Sequence, residues 1–337
     1  MLSFLTGHAR GCFSLTLLVL TTVFWVSLLV FMAFLKAIIP IPSWRKFCSR
    51  LVDGCANNWI FCNNLNLRLT RTIHWDVQGL DSLKQDEWYL VLANHQSWID
   101  IVVLQKVFYH KIPFLKFFLK KELIWVPVLG IAWWALDFPF MKRYSRKFLE
   151  KFPHLRGKDV EITRKACEKF KTIPVSVMNF VEGTRFTPEK HRKQESPHQY
   201  LLKPKAGGIA FVLATMGEQL HRILNVTIVY PDGKKNFWAF LCGRVCEIRV
   251  RVETLPISED ILGDYVNDVA FREYFQNWVN VLWDEKDKYI ESLVHPPRSV
   301  PQQSQDLAEA PFRLDPGLFK NASERQEALA EDRRLGA

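Results

Sequence analysis

Polar and apolar positions follow three regimes along this chain. The first is a single unbroken apolar run. From Gly11 to Leu35 there are 25 residues without a charge, bracketed by Arg10 and Lys36. That exceeds the roughly 20 residues a helix needs to cross a bilayer, and it predicts an N-terminal helix in contact with lipid. The run is too long for a secretory signal, and no A-x-A-like cleavage site follows it cleanly. Prolines at 40 and 42 break the helix within "IIPIPSW". One span and a hairpin that folds back there are both compatible with the pattern.

The second regime is an interleaving of strand-like and helix-like segments. Residues 44–63 read as helix, 72–79 as an alternating strand and 88–94 as a β-rich buried strand. "IDIVVLQKVFYH" predicts a short buried helix, and "PFLKFFLK" a strand at 113–120. A second apolar stretch, 122–141, has the length of a span. Glu122, Pro127, Asp137 and Pro139 within it favour core or membrane-surface structure instead. A polar helix is expected at 158–171, a buried strand at 173–183 and a helix in "AGGIAFVLATMGEQL". "ILNVTIVYP" and "GRVCEIRVRVETL" read as strands, and 267–293 as an amphipathic helix. Strands alternating with helices define an α/β domain. No internal repeat is evident. The third regime begins at Pro296, where five prolines, several Gln and scattered charges leave no periodic apolar face. A disordered tail is expected over 296–337.

Charge sharpens this picture. The net charge is +10, and Lys106 to Lys171 alone holds sixteen Lys/Arg against six Asp/Glu. Such concentration points to an anionic partner, either a phosphorylated substrate or an anionic membrane face. No nucleic-acid-binding motif accompanies it. Flanking charges at Lys36, Arg45, Lys46 and Arg50, against Arg10 alone on the other side, place the chain after the anchor in the cytoplasm. Seven cysteines lack metal spacing, and Cys48, Cys55 and Cys62, seven apart, read as apolar positions on one helix face. Neither a metal nor a cofactor is expected.

Two stretches carry chemistry. "NHQSWID", 94–100, follows the β-rich run and sets His95 and Asp100 five residues apart. On a helix that spacing separates them by about 140°, and on a strand it points them to opposite faces. A strand-to-helix turn can fold them together. Ser97 is then the expected N-cap with Asp100 at N3, a pattern that capping alone would also explain. A histidine at the carboxyl end of a strand, its tautomer fixed by a carboxylate, is a standard general base. The second stretch, "NFVEGTRF", closes a buried strand with Glu182, Gly183, Thr184 and Arg185. Arginine there suits phosphate, although Glu182 could instead be its partner. The chain has no G-x-S-x-G and no phosphate-binding glycine loop, which removes support for a serine hydrolase, an NTPase or a dinucleotide enzyme.

With these two motifs in place, residues from about 70 to 260 resemble the 1-acylglycerol-3-phosphate acyltransferases and their lysophospholipid acyltransferase relatives. The family's N-H-x-x-x-x-D stands as Asn94, His95 and Asp100, and its F-x-E-G-T-R as Phe180 with Glu182 to Arg185. "KKELIWVPVLG…FMKR", with Lys121, Glu122, Pro127, Gly130 and Arg143, is similar to the second motif region, and "VTIVYP" to the fourth. "YLLKPKAGG" and "VTIVYP" look more like the branch containing lysocardiolipin acyltransferase than like the shortest bacterial enzymes. The resemblance implies a mixed sheet flanked by helices, with an anchor and helical linker at 1–63, the acyltransferase domain at 64–295 and the tail beyond. It implies His95 as base, Asp100 as its orienter, and Asn94 and Ser97 in support. Arg185 with Lys121 or Arg143 would clamp the acceptor's phosphate, with Glu182, Gly183 and Thr184 shaping the site. The implied reaction passes an acyl chain from acyl-CoA or acyl carrier protein to a lysophospholipid, foremost lysophosphatidic acid. Lysocardiolipin or lysophosphatidylglycerol as acceptor, and thioester hydrolysis, are the alternatives. The implied location is a membrane, of the bacterial inner-membrane type, with the catalytic domain on the cytoplasmic side.

Overall fold

The strand Tyr89–Ala93 (β2) is buried along its whole length, so both of its faces must be covered, as in the middle of a parallel sheet. That is where it lies. In the computed structural model the described residues are 6–295, apart from 40, 127–128, 139, 142–163, 165–166, 168–169, 171–172 and 234–235. Residues 1–296 form one compact unit; the expected tail lies outside the described residues. So does most of the expected helix at 158–171.

Six strands form the main sheet: β1 (His74–Gln78), β2, β3 (Leu115–Phe117), β6 (Ser176–Phe180), β7 (Arg222–Val229) and β8 (Glu247–Pro256), in the order β1-β8-β7-β2-β6-β3. All neighbours are parallel except β7 and β8. A second pair, β4 (Leu119–Lys120) and β5 (Phe140–Met141), is separate. After β2 the chain passes through α3 (Ile99–Val107) to β3 at one edge. After β6 it returns through α5 (Pro188–Gln194) and α6 (Ala206–Met216) to β7, on the other side of β2. The carboxyl end of β2 is therefore a topological switch point, where open α/β sheets leave a crevice.

Alternation along the strands divides the core. Tyr89, Val91 and Ala93 pack with α3 and with Phe240 and Leu241 of α7 (Phe237–Leu241). The long helix α8 (Val269–Val294) covers β7 and α6 with Phe275, Trp278, Leu282 and Trp283. The strand expected over 243–255 begins only at Glu247, because Gly243, at φ +77, turns the chain after α7.

The apolar run forms α1 (Gly7–Ile38), and the chain does fold back, through α2 (Pro42–Thr70). The two helices are antiparallel: Asn66 Nδ2 donates to the Ser14 carbonyl at 2.9 Å, Trp59 Nε1 to Thr22 Oγ1 at 3.0 Å and Trp44 Nε1 to the Leu35 carbonyl at 3.1 Å. Both ends of α1 also meet the globular part. Near its start, a Cβ on Gly11 would lie 2.7 Å from Cys242 Sγ, so only glycine permits this approach to α7. At its end, Lys36 pairs with Asp137 at 2.7 Å. The apolar stretch 122–141 holds a 3-10 turn at Lys121–Trp125 and the seven-residue α4 (Leu129–Ala135), which is far short of a span. Of its side chains, Ala132, Ala135 and Phe138 are buried whereas Trp125, Ile131 and Trp134 are exposed.

Candidate active site

The turn after β2 brings His95 and Asp100 into contact, with His95 Nδ1 2.9 Å from Asp100 Oδ2. The same oxygen accepts the backbone N–H groups of Gln96 at 2.6 Å and Ser97 at 2.9 Å. Three donors on one oxygen place the hydrogen of His95 on Nδ1 and leave Nε2 as the acceptor. Nε2 makes no hydrogen bond among the described residues. The helix cap differs from the sequence expectation. Trp98 occupies the N-cap position without a side-chain bond, and Ser97 Oγ accepts the Ile99 N–H at 3.3 Å. Asp100 is thus one residue nearer the helix start than N3, and its carboxylate reaches back over the turn. Capping and orienting the imidazole are one act of one oxygen.

The opposite oxygen has a partner that the sequence reading did not assign. Tyr230, the residue after β7, donates its hydroxyl to Asp100 Oδ1 at 2.6 Å. Burial and the adjacent carboxylate push its pKa well above 10, so it remains a donor at any working pH. Its position in "VTIVYP", at the end of a strand, was the available signal. Asn94 ties the strand ends together: its Nδ2 donates to the Ile228 carbonyl at 2.9 Å, and its Oδ1 accepts the Ile228 N–H at 2.8 Å.

The turn after β6 closes the site from the other side. Phe180 stacks on the His95 ring at 3.9 Å, 12° from parallel. Glu182 is fully buried, and its carboxylate accepts the N–H of His95 at 2.7 Å and of Leu202 at 2.9 Å. Its observed bonds brace the backbone of the histidine rather than hold Arg185. Gly183 turns at φ +67, in the left-handed region that favours glycine, and the Lys205 side chain lies against it. The Arg185 guanidinium rests on the Trp98 ring, 4.3 Å from the centroid, and pairs with no carboxylate among the described residues. Lys190 Nζ holds Thr184 Oγ1 at 2.7 Å and the Arg185 carbonyl at 3.1 Å. The turn therefore gathers Arg185, Lys190 and Lys205, of which the sequence reading named only the first. Lys121 is exposed at the start of the 3-10 turn, with no hydrogen bond or ion pair to this group. Arg143 lies outside the described residues. Among the described residues no cluster of His, Cys, Asp and Glu could hold a metal.

An imidazole oriented by a carboxylate, beside a cationic turn at a sheet switch point, defines a site for proton abstraction next to an anion. Comparison with known proteins gives that class a name. Residues 74–231 match the family model described as Acyltransferase. The chain is 27% identical over 177 residues to the mouse 1-acyl-sn-glycerol-3-phosphate acyltransferase gamma, covering 50% of this chain and 43% of the relative. It is 24% identical over 233 residues to the Arabidopsis thaliana 1-acyl-sn-glycerol-3-phosphate acyltransferase 3, covering 63% and 57%. These matches span less than two thirds of either relative. Among solved structures, the 1-acyl-sn-glycerophosphate acyltransferase PlsC from Thermotoga maritima superposes with a TM-score of 0.48 at 17% identity, over 86% of this chain and 100% of that one.

Proposed function

We propose that the protein transfers an acyl chain from a thioester donor, acyl-CoA or acyl carrier protein, to the free hydroxyl of a lysophospholipid, with lysophosphatidic acid as the foremost acceptor. The observation that carries this reading is the locked His95–Asp100 pair beside Arg185. His95 Nε2 takes the proton of the acceptor hydroxyl as its oxygen bonds to the thioester carbonyl carbon. The tetrahedral carbon then expels the thiolate, which recovers the proton. Asp100 and Tyr230 hold the ring and stabilise the imidazolium that forms. A thioester is already activated, so no covalent enzyme intermediate is required. Arg185, with Lys190 and Lys205 close by, meets the acceptor's phosphate; Lys121 and Arg143 remain candidates for the same clamp. The acyl path runs along the aromatic rings of Phe180, Phe117 and Phe138, whose centroids follow one another at 6.3 Å. Phe138 belongs to the apolar stretch 122–141.

The protein works at a membrane, held by α1. That helix has a mean hydropathy of 2.5 over its most apolar window and exposes Leu20, Val23, Phe24, Phe31 and Phe34. The deciding test is incubation of the purified full chain with labelled acyl-CoA and a panel of lysophospholipids, wild type beside His95→Ala. Labelled diacyl product from lysophosphatidic acid, lost in the variant with no change in melting temperature, is the expected result. Release of free fatty acid regardless of acceptor would mean a thioesterase, and an active His95→Ala variant would overturn the assignment of the base.

A further inference from the structure

A second place in the molecule is built for an anion. Between α1, α2, α3 and α7 lies a cavity of about 460 Å³, a volume typical of small-ligand sites. Its walls are mostly apolar, with Leu18, Trp59, Leu67, Ile101 and Phe240 among them. It lies on the far side of α3 from the catalytic pair: Trp98, Ile101, Val102 and Gln105 line it, and on a helix Asp100 points about 150° away from their mean direction.

One charged residue lines this apolar space, Arg71. It is 7% exposed. Its Nη2 donates to Ser14 Oγ, which donates to Asn66 Oδ1, and the guanidinium lies 4.3 Å from the centre of the Phe240 ring. Its Nε has no acceptor, and no carboxylate among the described residues pairs with it. Burial pushes its pKa down to about 10; the nearby Cys242 thiol opposes this in part, and Arg10, a like charge nearby, adds to it. It stays cationic at neutral pH. Burying a cation without a counter-ion is costly, so this geometry asks for an anion that the protein itself does not supply. Leu18, Trp59, Ile101, Val102 and Phe237 on its walls are only half-buried and Trp98 is exposed, so the cavity opens between the helices and a hydrocarbon chain can enter.

We infer that this cavity binds an anionic phospholipid of the surrounding membrane, with one acyl chain along the apolar wall and the phosphate on Arg71. The site is separate from His95 and Asp100, although Trp98 on its wall also carries the Arg185 guanidinium, and it does not depend on acyl transfer. A guanidinium reads a phosphate through charge-assisted N–H bonds, and Ser14 already holds Nη2 in place while Nε is left without an acceptor.

The test uses the full chain in detergent micelles with phosphatidylglycerol or the phosphate-free diacylglycerol carrying a photoreactive group on the same acyl chain, followed by peptide mapping. Phosphatidylglycerol should label α1, α2 or α3 around Leu18, Trp59 and Ile101 at least about tenfold more than diacylglycerol. Arg71→Gln should abolish that preference, and Arg71→Lys should restore part of it. If Arg71→Gln does not fold, Ile101→Trp, which fills the cavity and keeps Arg71, carries the test and should lose labelling. His95→Ala should label as the wild type does, which separates lipid binding from turnover. Equal labelling by both lipids, or a folded Arg71→Gln variant that keeps the preference, would show Arg71 to be only a partner of Ser14. Stronger Arg71-dependent labelling by a photoreactive fatty acid would overturn the phospholipid as occupant.

Discussion

Asp100 shows how much one side chain carries. Its two oxygens meet His95, Gln96, Ser97 and Tyr230, all within 2.9 Å. An asparagine there keeps one acceptor oxygen and presents an NH2 to a donor. Asp100→Asn should therefore abolish most turnover and cost about 1–3 kcal/mol of stability, measured by steady-state rates and by denaturant melts. An ordinary cap would tolerate Asn within about 1 kcal/mol and keep its activity. Arg185 is the contrasting case, a guanidinium held by a ring face and no carboxylate. Arg185→Ala should raise the acceptor's KM roughly ten- to a hundredfold, the worth of a charge-assisted phosphate contact. The melting temperature should hardly move, and Lys should recover only part of the loss. Kinetics with lysophosphatidic acid varied at saturating acyl-CoA would decide; an unchanged KM with a lower melting temperature would make Arg185 structural.

Between elements, the packing of α8 on the sheet has its own electrostatic signature. Asn225 and Glu253 are register partners on β7 and β8, and Asn225 Nδ2 donates to Glu253 Oε2 at 3.0 Å. From α8, buried Lys286 donates to the Val226 carbonyl at 2.6 Å. Burial pushes the Glu253 carboxyl up to about 7, against the pull of Asn225 and Lys286, and pushes Lys286 down to about 7. For Glu253 the folded state holds the proton more tightly than the unfolded chain. Its stabilising contribution is full below pH 4.5 and is lost as the pH rises to 7. Lys286 works in the other window: its cost is full below pH 7 and fades as the pH rises toward 10.5. Between pH 4.5 and 7 the wild type should lose about 1–3 kcal/mol of stability relative to Glu253→Gln. Parallel urea melts of the two proteins at both pH values would show it, and parallel pH curves would refute it.

For the molecule as a whole, the placement of α1 decides how the protein would meet a membrane. Thirty-two residues make a helix about 48 Å long, enough to cross a bilayer. Yet Gly11 at one end packs on Cys242, and Lys36 at the other pairs with Asp137. A helix with both ends docked on one globular unit cannot put those ends on opposite sides of a membrane. Its exposed apolar face, with Ile131 and Trp134 of α4, is suited to lie in one leaflet. Protease-sensitive tags before Gly7 and after residue 295 should therefore be accessible from the same side of sealed vesicles. Tags on opposite sides would establish a span.

The local patterns of the chain were enough to expose the sheet strands, the long apolar N-terminal helix and the two turns of the candidate site. Strand-length β-rich runs, Gly183 and the pair His95–Asp100 are short-range signals, set by backbone preference and spacing. The contact between His95 and Asp100 was legible because only a turn lets residues five apart meet. Tyr230 was not, since it lies 130 residues from Asp100 and joins it only because β7 pairs with β2. Glu182 stood in a recognisable motif, but its work on the backbone of His95 depends on the β2–β6 register. Likewise, apolar length predicted the long helix α1, while its lie along the globular part came from packing at Gly11 and Lys36. Local pattern sets which elements form and which residues can react, because propensity and periodicity act over a few residues. Tertiary structure decides which distant side chains share a site, because strand order and helix packing bring them together without any sequence spacing to announce it.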